Sequence, residues 1–418
     1  GGTCVNTGCM PTKALVASAY AAHLARRATD FGVAISGDVR VDMKKVKARK
    51  DEVVRTATTN VEKWVREMKG CEAIHGHARF LSPHEIEVDG RRITGAQIFL
   101  DVGGRALIPD MPGLDTLDVL TNTSIMELEE VPEHLVVIGG SYIGLEFAQM
   151  YRRFGAKVTV VEKAPRLIAR EDEEISACVK EFFEKEGIDV FLGASASFEK
   201  QGEKALVRIE SAGDKKEIVA SHVLAAVGRE PNTGDLGLEK AGVKIDARGY
   251  IVVDDFLRTN VPHIYALGDC NGRGAFTHTA YNDFEIVAAN LLDGETRKVS
   301  ERVVGYALYT DPPLGRVGMT ETEARKARKN VKVGKRPMTR VGRAVEKSET
   351  TGLMKIVVDE DTKEILGAAI LGPGGDEAIH GVLDMMHAKV PYPTYRWAVP
   401  IHPTVSELIP TLLVELAP

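Results

Sequence analysis

Apolar positions along the chain change period several times. Leu135 to Gly139 (LVVIG) is a continuous apolar run of strand type leading into a glycine-rich turn, and Tyr142 to Phe154 then takes up the spacing of an amphipathic helix. Lys157 to Val161 (KVTVV) is a β-branched run ending at Glu162. A charged helical stretch follows from Asp172 to Glu186, with another apolar strand near Asp189 to Leu192. Two strand–helix–strand units in series predict a doubly wound parallel sheet.

From Lys204 to Val219 short alternating strands with polar turns predict an antiparallel insertion, and His222 to Gly228 (HVLAAVG) returns as a buried strand. Tyr250 to Asp254 and Ile264 to Leu267 read as strands and Thr279 to Leu292 as a helix. Beyond Glu301, strands at Gly305 to Thr310, Met354 to Val358 and Ile365 to Leu371 lie among helices at Thr320 to Lys329, Asp376 to Lys389 and Thr404 to Leu416. The fold class expected is α/β, with two Rossmann-like nucleotide-binding domains and a C-terminal α+β domain. The boundaries read as 1–110, with a helical excursion over 14–68, then 111–231, 232–300 and 301–418.

A length of 418 residues is too great for one ordinary core, which supports this division. A net charge of −6 without a long basic run argues against nucleic acid as a partner, and no run reaches the ~18 apolar residues of a membrane helix. Five scattered cysteines cannot form a disulfide framework. Cys71, Cys178 and Cys270 stand alone, so a reducing, cytoplasmic setting is expected.

Cys4 and Cys9 are different, being separated by Val5, Asn6, Thr7 and Gly8. In a regular helix they would sit about 8 to 9 Å apart, beyond the reach of about 7 Å for a disulfide. A redox pair here therefore needs an irregular backbone, which Gly8 can supply, with Pro11 in the first turn of the helix that follows. A thiol at such a helix start should have a lowered pKa. Chance proximity and half of a zinc site are the other readings, although no further Cys or His lies at metal spacing. The helix bearing His380, Met385, Met386 and His387 could be read as a soft-metal site, but helical Met more often fills a core.

The stretch GGTCVNTGCMPTK closely resembles the redox signature of the FAD-dependent pyridine nucleotide-disulfide oxidoreductases, the family of dihydrolipoamide dehydrogenase, glutathione reductase and mercuric reductase. The resemblance runs through essentially the whole chain. It implies that Cys9 faces the flavin and Cys4 exchanges with substrate. Gly139-Gly140-Ser141-Tyr142-Ile143-Gly144 follows a strand and opens a helix, the context of a dinucleotide fingerprint, although Ser141 replaces its second glycine. Glu162 at the end of the next strand suits the ribose hydroxyls of NADH and repels the extra phosphate of NADPH; Lys163 and Arg166 leave NADPH open.

By the same resemblance Tyr142 would be a flap over the flavin, Glu146 would pair with Lys13 near the flavin ring, and Gly228-Arg229-x-Pro231-Asn232 would close the nucleotide domain. Thr259 to Asp269 (TNVPHIYALGD) looks like the second FAD motif, with Asp269 on a ribityl hydroxyl, Thr277 and His278 beside the ring and the Ala78 backbone at the adenine. The first FAD fingerprint is expected upstream of Gly1, so the natural protein should be longer at its N-terminus. Ile401 to Glu407 resembles the family's HPxxxE motif, making His402 a general base for Cys4 and Glu407 its orienting partner. In relatives this histidine serves the opposite subunit, which implies a homodimer.

For the electron acceptor, FTHTAYNDFE at 276–285 and DPPLGRVG at 311–318 most resemble a mercuric-reductase-like branch whose members reduce reactive oxidants or metal ions. A true mercuric reductase is disfavoured because the chain ends Leu416-Ala417-Pro418 rather than in vicinal cysteines and keeps His402. Dihydrolipoamide dehydrogenase is the alternative within the family, and a flavin-free thiol or metal-binding protein the alternative outside it.

Overall fold

A computed structural model describes residues 2–418 and divides into two units. The first comprises Gly1–Ala14, Ala48–Leu107 and Gly228–Arg302. An antiparallel meander in it is built from Ala78–Ser82, Glu85–Val88 and Arg91–Thr94. Ile98–Leu100 pairs in parallel with Ile264–Ala266, and Gly104–Ala106 pairs antiparallel with Arg229–Pro231. Phe80, Leu257, Ile264, Ala266 and Ile286 form its core. Tyr250 to Asp254, read from the sequence as a strand, makes only an isolated bridge from Ile251 to Ile245. Its amides bond to several separate segments instead of one strand, Ile251 N to Cys270 O at 2.9 Å and Val252 N to Lys244 O at 3.0 Å, while Asp246 Oδ1 accepts from Tyr250 N.

The second unit comprises Leu15–Lys47, Ile108–Val227 and Val303–Pro418. Its parallel sheet runs in the order His222–Ala225, His134–Ile138, Lys157–Val161, Ile188–Phe191. Leu135, Val136 and Val137 are fully buried, which is why this strand reads as an unbroken apolar run rather than an alternating one. Each such side chain contributes about 1.5–3 kcal/mol by leaving water. Helix Tyr142–Phe154 has the bounds expected from its periodicity and ends at Gly155. Helix Glu173–Lys185 starts after Asp172 and carries Glu173 and Glu174 in its first turn, where they complement the helix dipole. The antiparallel insertion is Ala194–Gln201, Lys204–Ser211 and Asp214–Ala220.

After residue 303 an antiparallel five-stranded sheet runs Gly305–Leu308, Leu314–Gly318, Ile365–Leu371, Leu353–Asp359, Val331–Pro337. The helix expected over Thr404 to Leu416 is reduced to short turns at Ser406–Leu408 and Ile409–Leu412. Pro410, with no N–H to donate, interrupts a continuous ladder there.

Candidate active site

In the first unit the two cysteines stand on separate helices, Cys4 in Thr3–Thr7 and Cys9 as the first residue of Cys9–Arg27. Gly8 makes the break with φ −131° and ψ −114°. A Cβ at Gly8 would stand 2.9 Å from Thr3 Cγ2 and 3.0 Å from Thr3 O, so only glycine lets the backbone double back here. The irregularity required of a redox pair is thus present. Both cysteines are free thiols, and Cys9 Sγ lies 3.3 Å from Thr277 Oγ1. The Cys4 thiol, in the shorter helix before the break, lies above its ordinary value. Burial pushes this thiol up, the Thr277 hydroxyl pulls it down by a hydrogen bond, and the neighbouring Cys9 raises it again.

Arg229 ties this corner together. Its Nη2 donates to Thr3 Oγ1 at 3.1 Å and to the Gly104 carbonyl, and its Nε lies 3.7 Å from Asp269 Oδ2. Burial raises the Asp269 carboxyl and Arg229 opposes that. The turn at Gly268 is held by Asp283, whose Oδ2 accepts from Gly268 N at 2.9 Å and Asn271 Nδ2 at 2.8 Å while Arg302 pairs with its other oxygen. Asp101 faces Gly268 so closely that a Cβ there would stand 2.6 Å from Asp101 Oδ1. Thr277 and His278 open helix Thr277–Ala288, both exposed, with the His278 ring stacked on Phe276 at 5.3 Å. Ala78 begins its strand and is exposed. Asp269, Thr277 and His278 lie on neighbouring segments of this unit beside the cysteines. Neither Asp101 nor Asp283 is among the site residues expected from the sequence, although Asp283 closes a buried backbone turn.

In the second unit the glycine-rich turn fits a dinucleotide. Gly139 has φ +111°, a Cβ on it would meet Ala226 O at 2.4 Å, and a Cβ on Gly144 would meet Gly139 O at 2.1 Å. Glycines therefore close the turn onto strand and helix as the fingerprint requires. Ser141 is the exposed N-cap and makes no side-chain cap bond, so the first amide groups of a 13-residue helix are not capped by it beside the turn. Ile143 follows, packed against the core. The Glu162 carboxylate accepts from Gly140 N and, at 2.6 Å, from Ala164 N, so the acid that would meet the ribose is held in place by the turn itself.

Tyr142 and Glu146 also lie in this unit. Buried Glu146 accepts from Tyr309 N at 3.1 Å. Lys13, expected as its partner, is half-buried in the first unit. The Tyr142 hydroxyl donates to Glu171 Oε1 at 3.2 Å, and Tyr306 donates to the same oxygen at 2.7 Å with its ring edge-on to Tyr142. Burial drives the Tyr142 phenol far above its ordinary value and pushes Tyr306 up to about 12. Glu171 is fully buried and faces Arg316 Nε at 3.2 Å, and Arg316 reaches Asp172 at 3.2 Å. None of Glu171, Tyr306 and Arg316 is marked by the sequence. Replacing Arg316 with methionine should lower stability by about 3–5 kcal/mol, because two buried carboxylates lose their guanidinium; a urea unfolding midpoint reads this directly.

At the C-terminal end His402 Nδ1 and Glu407 Oε2 are 2.8 Å apart, with the His402 side chain 79% exposed and Glu407 15%. The bond that would orient the imidazole is therefore formed, with the ring open to the outside. The His402–Pro403 peptide is cis. Trp397, Val399 and Ile401 beside it are strongly exposed apolar residues. No helix among the described residues is long and apolar enough to cross a membrane.

The model of the pyridine nucleotide-disulphide oxidoreductases matches residues 1–283, and that of their dimerisation domain matches residues 304–413. The chain is 38% identical to the dihydrolipoyl dehydrogenase of Thermus scotoductus over 97% of its own length and 88% of that protein's. It is 36% identical to a mercuric reductase of Bacillus cereus over 91% of its length, spanning 60% of that protein. The copper(II) complex of the HOCl-induced flavoprotein disulfide reductase RclA of Escherichia coli superposes with a TM-score of 0.88 at 33% identity, covering 99% of this chain and 90% of that one. The chain therefore belongs to the pyridine nucleotide-disulphide oxidoreductase family, whose members are FAD-dependent and use NAD(P)H.

Proposed function

We propose that the chain is an NAD(P)H-dependent flavoprotein that reduces a small oxidised substrate, a reactive oxidant or a metal ion, through a Cys4–Cys9 disulfide. The observation that carries this is the pair of free thiols on either side of the Gly8 break, with the Thr277 hydroxyl beside them. Lys13, Ala78, Asp269, Thr277 and His278 are the residues that would hold FAD, which when bound accepts hydride from the nicotinamide and passes electrons on in pairs. Gly139, Gly140, Ser141, Tyr142, Ile143, Gly144 and Glu162 would hold the nicotinamide dinucleotide, with Tyr142 as the flap over the flavin; Gly228 and Arg229 complete the cofactor-facing set. Glu146 is the proposed partner of Lys13.

Cys9 is the thiol turned to the flavin, and Cys4 the one that attacks substrate. His402, oriented by Glu407, takes the Cys4 proton across a homodimer interface. This protein works in a reducing cytoplasm, where the lone Cys71, Cys178 and Cys270 stay as thiols.

Glu162 supports NADH over NADPH, since a fixed carboxylate accepts from ribose hydroxyls and repels a 2′-phosphate. Glu162→Ala should raise the KM for NADH by about tenfold or more, the worth of a hydrogen bond to a charged group, and leave that for NADPH equal or lower. Steady-state kinetics with both nucleotides checks this.

The similar RclA structure is a copper(II) complex of an HOCl-induced protein, and the Bacillus cereus relative is named for mercury, which favours an oxidant or metal-ion acceptor. Stopped-flow reoxidation of the NADH-reduced protein by hypothiocyanous acid, Cu(II), Hg(II) and lipoamide tests it. Fast reoxidation by lipoamide alone would replace this reading with dihydrolipoamide dehydrogenase, which the formed His402–Glu407 pair also suits. A colourless preparation without a flavin spectrum would sink both.

A further inference from the structure

Thr277 stands where a residue that merely lines a cofactor pocket need not stand. Its Oγ1 is 3.3 Å from Cys9 Sγ, and its hydroxyl also lowers the pKa of the neighbouring Cys4 thiol, on which Cys9 acts in the opposite sense. One hydroxyl therefore acts on both sulfurs. It is not required for the local fold, because the start of helix Thr277–Ala288 is closed by another residue: Thr279 Oγ1 accepts from Phe276 N at 3.1 Å and donates to Phe276 O at 2.8 Å. As the first residue of a 12-residue helix, Thr277 also lies at the positive end of the helix dipole, which strengthens its O–H as a donor to an anion.

We propose that Thr277 is a catalytic residue whose hydroxyl donates to whichever of Cys4 and Cys9 carries the thiolate. The assignment rests on the redox reading of the pair. In that reading the thiolate alternates: Cys4 is the anion when it attacks substrate, and Cys9 is the anion when it closes the disulfide on Cys4 and the reduced product leaves with the electron pair. Thr277 keeps its proton throughout, and only its hydrogen bond changes sulfur. The need is concrete at Cys4, where burial and the neighbouring sulfur both disfavour the anion and Thr277 acts against them.

The test compares wild type, Thr277→Val and Thr277→Ser as reduced, flavin-loaded full chains. Iodoacetamide alkylation of Cys4 and of Cys9 is followed against pH by peptide mass spectrometry, and flavin circular dichroism confirms folding. Valine should shift both alkylation curves to higher pH and slow alkylation near neutral pH by about tenfold, the worth of one charge-assisted hydrogen bond. Serine should restore the wild-type curves. Superimposable valine and wild-type curves overturn the proposal, as does a shift confined to one cysteine, or a serine variant that behaves like valine. The redox reading is checked separately in oxidised wild type by a non-reducing peptide map. A missing Cys4–Cys9 disulfide takes down both readings, whereas its presence with an unchanged valine variant removes only the role of Thr277.

Discussion

Cys4→Ser should cut turnover with every acceptor by about a thousandfold or more, yet leave the reduced protein able to show a long-wavelength thiolate-to-flavin absorption band. A serine hydroxyl at this place cannot become an anion near neutral pH, so the attack on substrate stops, and no disulfide can form to be reduced. Cys9 is untouched by the change. It begins its own helix, Cys9–Arg27, beyond the Gly8 break, and keeps its Thr277 contact. Loss of the band in Cys4→Ser, with its survival in Cys9→Ser, would mean that the two sulfurs have the opposite roles. The experiment therefore separates the jobs of the thiols as well as testing that they have any.

The second large effect is expected at the other end of the chain. His402→Gln should lower turnover by about 10²- to 10⁴-fold at neutral pH, the usual worth of a positioned general base. Its sign with pH follows from Cys4. Burial holds that thiol above its ordinary value, so near neutrality it is protonated and needs a base. In His402→Gln the lost activity should return progressively as pH rises and Cys4 ionises unaided, whereas wild type should reach its plateau at lower pH. Glu407→Gln should be milder, since it removes only the 2.8 Å partner that orients the ring and favours the imidazolium. A flat pH profile in His402→Gln would contradict the assignment. Mixing His402→Gln with Cys4→Ser subunits tests the shared site, because restored activity requires His402 of one protomer to serve the partner subunit's Cys4.

Much of this arrangement is legible because the decisive features are local in sequence. The Cys4–Cys9 spacing forces a break, and Gly8 makes it. The 3.6-residue period after Ser141 and the β-branched run at Lys157–Val161 mark a helix and a strand whose bounds the structure matches, since both bury one element against the same parallel sheet. What stays hidden is long-range. Strand Leu314–Gly318 lies inside the five-stranded sheet, but its residues are Leu, Gly, Arg, Val and Gly, a poor strand pattern by propensity. Its Gly315 is required because a Cβ there would stand 2.2 Å from Gly375 O, and its Arg316 is tolerated because Glu171 and Asp172, some 145 positions earlier, neutralise it. That pairing also fixes the hold on Tyr142, which no local pattern could announce. The raised Cys4 thiol is hidden for a related reason: burial by the surrounding fold is the largest cause of its shift, and no local pattern announces that burial.

The central claim is that the cysteine pair is a second electron store beside the flavin. Anaerobic titration of the oxidised, flavin-loaded protein with NADH, combined with alkylation to count new thiols, tests it most directly. The account predicts uptake of two hydride equivalents per flavin, one of which converts the Cys4–Cys9 disulfide into two alkylatable thiols on those residues. Uptake of a single equivalent, with the flavin fully bleached and no new thiol at Cys4 or Cys9, would contradict it.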